Sequence, residues 1–586
     1  RDWSSDVCSS DLTITANFKL AQELDMITKG LKFTGLFSFK NYSSSSTERS
    51  ASYNHYYMSS YDPSSMEYKI TRIGDEQSTA LTNDGSRNGD RKMYFQAILD
   101  YNRIFKEVHD LNIMFLYNQE QYDINGPTTL FSSLPQRKQG VAGRVSYSYD
   151  GRYYIEGNFG YNGSENFAKG HRFGFFPSIA VGYNISNEKF WQPIKPVISN
   201  LKIRGSWGLV GNDATNAGRF AYMEDLVLGG SDSYTTGIRQ DTYYSGPSWN
   251  RYFNPDLTWE VGEKINLGLD LQLFNDFNLT FDIFREKRRD IFMTRENSIP
   301  EIVGTGETKI TSNNGEMENK GLDLAIDYNK QITKDFFLSF KSTLTFARNK
   351  VLKMDEPPYF EYPGLSDVGH PLGTYWGYVA DGLFPDQETI DNSPRQDLGY
   401  TPQPGDIKYV NQPNAKGEYD NVINSNDRVA IGHPYDPELV YGFGPSMKWK
   451  NWDFSFFFQG VARTSFMMYG MHPFGTTSIK NMLQFVADDH WSVDNPNPNA
   501  AYPRLTKDSN GNNDQYSTYW LRNAAFLKLK NAEIGYTYKG MRFYLSGVNL
   551  LTFSPFKHWD PEMGGGNGLY YPTQRVFNIG FQMTIQ

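Results

Sequence analysis

Apolar and polar residues alternate along this chain over stretches of ten or more positions, most plainly between Asn254 and Phe292. Ile265, Leu267, Leu269, Leu271 and Leu273 fall on one side of an extended chain, and Lys264, Asn266, Gly268, Asp270 and Gln272 on the other. Phe277, Leu279, Phe281 and Ile283 then alternate with Asn278, Thr280 and Asp282. A period of two gives a strand one apolar and one polar face. Asn275-Asp276 between the two runs predicts a tight hairpin. Strands this long, with Lys and Asp on the polar face, predict an antiparallel transmembrane β-barrel with lipid outside and water or a plug inside.

The same pattern recurs in pairs. Leu12–Leu24 with Leu31–Tyr42, Lys92–Phe105 with His109–Tyr122, and Val141–Tyr149 with Arg152–Tyr161 come first, the last pair joined by Asp150-Gly151. Phe173–Ile185 and Leu201–Val210 follow, then strands around Leu322–Tyr328 and Leu338–Phe346, Leu439–Trp449 and Trp452–Val461, and finally Phe526–Tyr538, Met541–Phe553 and Arg575–Gln586. The total is about 17 strands. Polar stretches over 43–90, 212–253, 355–436 and 466–520 predict long loops outside the membrane. Short turns alternating with long loops suit an outer-membrane barrel; a propeller would repeat evenly every 40–50 residues or so, and no such repeat is present.

Composition changes the picture only in part. Of 586 residues, 40 are Tyr, 41 Phe and 11 Trp, which fits aromatic girdles at two membrane interfaces. No run of about 18 apolar residues occurs, so no transmembrane helix is predicted. The net charge of -9 argues against nucleic acid as a partner. The one cysteine, Cys8, excludes a disulfide framework and a thiolate metal centre. Residues 1–12, RDWSSDVCSSDL, share neither composition nor periodicity with the rest and read as a non-native scar, leaving 13–586 as barrel and loops. With no Met at the start and no apolar signal segment, the chain reads as the C-terminal part of something longer.

Several segments together resemble the SusC/RagA-like TonB-dependent transporters of Bacteroidetes outer membranes. They are RFGFFPSIAVGYNISNEKFW at Arg172–Trp191, LKIRGSWGLVGN at Leu201–Asn212, NPDLTWE at Asn254–Glu260 and NGEMENKGL at Asn314–Leu322. HPLGTYWGYVADGLF at His370–Phe384, PGDIKY at Pro404–Tyr409, YWLRNAAFLKLKNAEIGY at Tyr519–Tyr536, YLSGVNLLTF at Tyr544–Phe553 and YPTQR at Tyr571–Arg575 complete the set. The resemblance spans nearly all of 172–586. It implies a 22-stranded barrel, an N-terminal plug and a TonB box, the latter two outside this chain. It also implies a SusD-like surface lipoprotein as lid, the TonB complex as energy source, and import of oligosaccharides or oligopeptides through the outer membrane.

No catalytic constellation is legible: none of the eight His residues forms an HExxH or a close pair. Gly564-Gly565-Gly566 lacks the Lys-Ser/Thr of a phosphate loop. Asn411–Asp427 lies where the resembled family often carries an Asp-rich, calcium-loop-like run, but retains only Asp420 and Asp427, too few carboxylates for Ca²⁺. No metal, cofactor or enzymatic activity is therefore expected. Loop aromatics are the candidates for ligand contact, because sugar C–H groups pack on aromatic faces. These are Tyr375, Trp376 and Tyr378 in the largest insertion, and Tyr243, Tyr244, Trp249 and Tyr252 in a less constrained loop. For each, anchoring the loop or joining an interface girdle is the competing role. Alternatives to active import are a passive porin, an outer-membrane hydrolase, for which no His with acidic or Ser partners is legible, and a secreted glycan-binding β protein, which the lipid-type alternation disfavours.

Overall fold

A computed structural model describes residues 5–76, 80, 82–126, 129–215, 218–229, 233–295, 297–303, 310–470, 483–506 and 510–584. Seventeen strands form one antiparallel sheet. In chain order they are β1 (Ser5–Glu23), β2 (Leu31–Ser50), β3 (Thr82–Phe105), β4 (His109–Asn125), β5 (Gln136–Tyr149), β6 (Tyr153–Ser164), β7 (Phe173–Asn184), β8 (Ile198–Asn212) and β9 (Glu260–Leu273). The remainder are β10 (Phe277–Arg295), β11 (Ile310–Thr333), β12 (Phe336–Lys353), β13 (Leu439–Trp449), β14 (Trp452–Ala462), β15 (Phe526–Tyr538), β16 (Met541–Phe553) and β17 (Val576–Met583). Each pairs with the next in the chain, from β1–β2 through to β16–β17. Among the described residues no pairing joins β1 to β17.

The ladder register turns the sequence alternation into a surface. Leu111, Tyr147, Ile155, Val181, Gly205, Leu267, Ile283, Leu322, Phe346 and Leu439 are successive cross-strand partners, an unbroken row over the ten strands from β4 to β13. Phe454, Ile534, Leu545 and Ile579 make a similar row across β14 to β17. Leu267 is 63% exposed and Ile579 91%. A contiguous apolar band left facing outward is stable only against lipid.

The opposite face is polar and ion-paired. Arg204 on β8 reaches Asp270 on β9 at 3.3 Å and Asp282 on β10 at 2.7 Å. Arg542 on β16 holds Asp453 on β14 and Glu533 on β15, and Lys92 on β3 meets Glu120 on β4 at 2.9 Å. These pairs line the barrel's inner wall, where water or other protein solvates them.

The connections sort by end. Turns such as 106–108, 150–152, 274–276, 334–335 and 450–451 stand at one end of the sheet, and all the long insertions at the other. Asp150 and Gly151 both take positive φ, +52° and +60°, as the twist of a tight hairpin requires. At the 274–276 turn, the positive φ values fall on Phe274 and Asn275, one position earlier than the Asn275-Asp276 expectation.

The stretch 43–90 differs from its reading as a loop. β2 continues to Ser50 and β3 starts at Thr82, with Ser43–Ser50 paired to β1 on one side and β3 on the other. His55–Asp62 and Glu67–Ile73 add a small hairpin beyond them. Residues 5–12, set apart by composition, lie within β1 opposite Ser43–Ser50. Above the lipid both faces of a strand meet water, so period-two patterning is not needed there and none marks these extensions.

Candidate functional site

The insertions after β12, β14 and β16 fold together into a platform at the long-loop end. Short strand pairs frame it: Tyr375–Gly377 with Val429–Ile431, Ala380–Leu383 with Ile407–Tyr409, and Ser465–Met467 with Leu521–Asn523. Arg395–Gln396 and Val422–Ile423 pair in parallel. Asp386 caps the helix Gln387–Asp391 by accepting from the Thr389 amide at 2.8 Å. Between these pieces Leu383, Ile407, Tyr409, Ile423, Met468, Val486, Tyr502 and Trp520 are buried in one hydrophobic cluster. Each large side chain so buried contributes about 1.5–3 kcal/mol.

Under the cluster lies a satisfied polar network. Asp406, fully buried, accepts from Arg504 Nε at 2.7 Å, Asn510 Nδ2 at 3.0 Å, Asn513 Nδ2 at 2.9 Å and the Gln403 amide at 2.8 Å. Asn513 in turn accepts from the Ile407 amide at 2.9 Å, and Tyr409 donates its hydroxyl to the Asn512 carbonyl at 2.7 Å. The network ties residues 396–409 to 504–513, about a hundred positions apart. Burial works against the Arg504 charge, but its hydrogen bond to Asp406 and their attraction outweigh it and hold the guanidinium above its ordinary pKa. Burial pushes the Tyr409 phenol well up.

Beside this network a cavity of about 250 Å³ opens. Val486, Tyr502 and Trp520 form its apolar floor, while Arg504, Asn510, Asn513 and Gln515 supply polar edges. Tyr469, 51% exposed, and Tyr516, 48%, present rings at its mouth. Trp520 is fixed by donating Nε1 to the Asn513 carbonyl at 2.6 Å. An apolar, aromatic floor with a few convergent amides is the usual form of a small-ligand site.

The aromatics singled out from sequence lie elsewhere. Tyr378 is only 3% exposed and packs on Tyr409 with ring centroids 5.2 Å apart, which fits the loop-anchoring role named as the competitor to ligand contact. Trp376 donates Nε1 to Asp367 at 2.6 Å and meets His370 edge-on. Burial, then the neighbouring Tyr516 of the cavity lining, raise the Tyr375 pKa, and the Tyr378 amide donates to the Tyr516 carbonyl at 2.9 Å. In the loop after β8, Tyr244 stacks on Tyr234 at 5.3 Å and Trp249 on Tyr252 at 5.4 Å, with Tyr243 exposed beside them. None of the seven lines the cavity. Its walls come from segments around 468, 503, 513 and 520, and no local pattern in the sequence links them. In 411–427, Asp427 accepts the Gln412 and Asn424 amides at 2.7 and 2.8 Å, and Asp420 the Val422 amide at 3.0 Å, so both carboxylates serve the backbone.

The profile of the family described as "TonB dependent receptor-like, beta-barrel" matches residues 2–550. The chain belongs to that family. It is 29% identical over 468 residues to the TonB-dependent receptor SusC of Bacteroides thetaiotaomicron, covering 75% of this chain and 43% of that protein. It is 27% identical over 478 residues to TonB-dependent receptor P3 of Formosa agariphila, covering 76% and 45%. The chain thus spans about half the length of the curated relatives it matches. The RagAB peptide transporter structure superposes with a TM-score of 0.74 at 20% identity, over 99% of this chain and 62% of that one. Together these make the chain a SusC/RagA-like TonB-dependent receptor barrel of the outer membrane; barrels of this kind carry short turns at the periplasmic end and longer loops at the outer end.

Proposed function

We propose that this chain forms the barrel wall and outer platform of a TonB-dependent importer that takes up oligosaccharides in preference to oligopeptides. A SusD-like lipoprotein would seat as a lid on the insertions, and the TonB complex would supply energy through parts of the protein beyond this chain. The family supports import. The observation that carries the ligand class is the mouth of the cavity: the exposed rings of Tyr469 and Tyr516 suit the apolar faces of sugars. The exposed stacks Tyr234–Tyr244 and Trp249–Tyr252 add a second aromatic surface of the same chemistry.

The test is uptake of fluorescently labelled oligosaccharides and peptides by cells carrying the full-length protein, with and without a protonophore. Sugar uptake abolished by the protonophore and reduced by Tyr516→Ala supports the reading. Uptake indifferent to the protonophore makes the protein a passive pore, and preferential peptide uptake overturns the ligand class.

A further inference from the structure

The outer wall of the barrel carries a cationic cluster on the lipid-facing side, outside both the lumen and the platform. Arg285, Lys320 and Arg348 are direct cross-strand partners on β10, β11 and β12. They stand two positions further outward than Ile283, Leu322 and Phe346, members of the apolar row described above. Like charges directly opposite one another destabilise a sheet, and cations on the lipid face are tolerated only near an interface.

The neighbouring carboxylates offset this only in part. Glu318 meets both Arg285 and Lys320 at 2.7 Å. Glu438 meets Arg348 at 3.2 Å and Arg463 at 2.6 Å. Lys350 adds a fifth cation, and the Arg463 guanidinium lies 5.8 Å from the centre of the Phe346 ring. Lys287, the cross-strand partner of Glu318, meets Glu316 at 3.0 Å, so six cations meet three carboxylates. Of these charged residues, Glu318, Lys320, Arg348 and Lys350 border an open groove of about 580 Å³, with Ile283, Leu322 and Phe346 as its apolar part and the three cations, in excess over Glu318, as its polar part.

We propose that this groove binds an outer-leaflet lipid with a phosphorylated headgroup. The phosphates would sit among Lys320, Arg348 and Lys350, and an acyl chain would run along Ile283, Leu322 and Phe346 toward Phe281, Leu324 and Leu344. Both halves of the ligand are argued from the surface: continuity with the lipid-facing row sets the acyl part, and charge complementarity sets the headgroup. The groove's position toward the long-insertion ends of β10–β12 matches it to the outer rather than the inner leaflet.

The test uses the full-length protein in detergent micelles doped with a bis-phosphorylated disaccharide lipid, the same lipid without phosphates, or inorganic phosphate alone. Binding is read by native mass spectrometry and titration. We expect retention of the phosphorylated lipid only. Each cation removed should weaken binding about fivefold, on the order of a hundredfold for Lys320→Gln/Arg348→Gln/Lys350→Gln. Lys341→Gln, on the inner face of β12, should leave it unchanged. Faster migration of the unheated protein on gels confirms that each variant is folded; should the triple variant fail that check, the fivefold loss in Lys350→Gln alone decides. Equal retention of the phosphate-free lipid, unchanged binding by the folded variants, or displacement by equimolar inorganic phosphate each overturns the proposal, the last by making this a site for a soluble anion.

Discussion

Asp406 shows how one residue organises the platform. Its side chain is fully buried, and four donors converge on it from segments a hundred positions apart. Asp406→Ala strands Arg504 and two asparagine amides, and breaking a buried pair in this way costs about 3–5 kcal/mol. The expected outcome is loss of amide-exchange protection over 396–410 and 504–513 while β13–β16 stay protected. Asp427 presents a smaller effect of opposite origin. Burial, with repulsion from Asp420 adding to it, raises its pKa. A carboxyl raised in the folded state binds its proton more tightly there than when unfolded. The insertion therefore loses stability as pH rises from the ordinary carboxylate range through the raised value, and changes little above it. Asp420→Asn keeps an acceptor for the Val422 amide and removes the like charge. Exchange around 412–427 should slow at neutral pH by the equivalent of less than about 1 kcal/mol, and the pH dependence should flatten.

At the scale of elements, the two faces of a strand carry different rules. Leu267→Arg puts a cation in the outward row and should cost about 2–4 kcal/mol if it lies near mid-membrane. Asn266→Arg, one residue away, points to the polar inner wall and should cost far less; urea unfolding in lipid vesicles compares them. This contrast is also why β9 and β10 were legible in the sequence: lipid on one side and water on the other force alternation. The outer parts of β1–β3 were not legible, because Ser43–Ser50 pairs with neighbours in a region where neither face meets lipid. The short strand pairs of the platform escaped for another reason, since two or three residues cannot display a period. Tyr378 and Tyr375 lie three positions apart in one motif, yet one is sealed against Tyr409 and the other sits beside Tyr516. Aromatic content marked that region as important without saying which rings face outward. The cavity itself was invisible because its walls meet only after the chain has folded.

For the whole molecule, the outward apolar rows predict a protein that leaves the membrane only with detergent and migrates faster on gels before heating than after. Solubility without detergent would contradict the barrel. Among the described residues β1 and β17 each have a single partner in the sheet, and a strand edge in lipid leaves backbone groups unsatisfied. A membrane-embedded form of this sheet therefore needs those edges paired.

The strands also differ in length around the sheet. β2, β3 and β11 have 20, 24 and 24 residues, whereas β13 and β14 have 11 each. The rim is consequently stepped, tall where backbone ladders continue upward and low where the insertion platform takes over. The two sides yield differently. Bending the tall side outward breaks consecutive ladder hydrogen bonds, while the low side is built from loop segments held by side chains and short pairings. A mouth that widens to admit a bulky molecule will do so on the platform side, with the tall side as the fixed jamb.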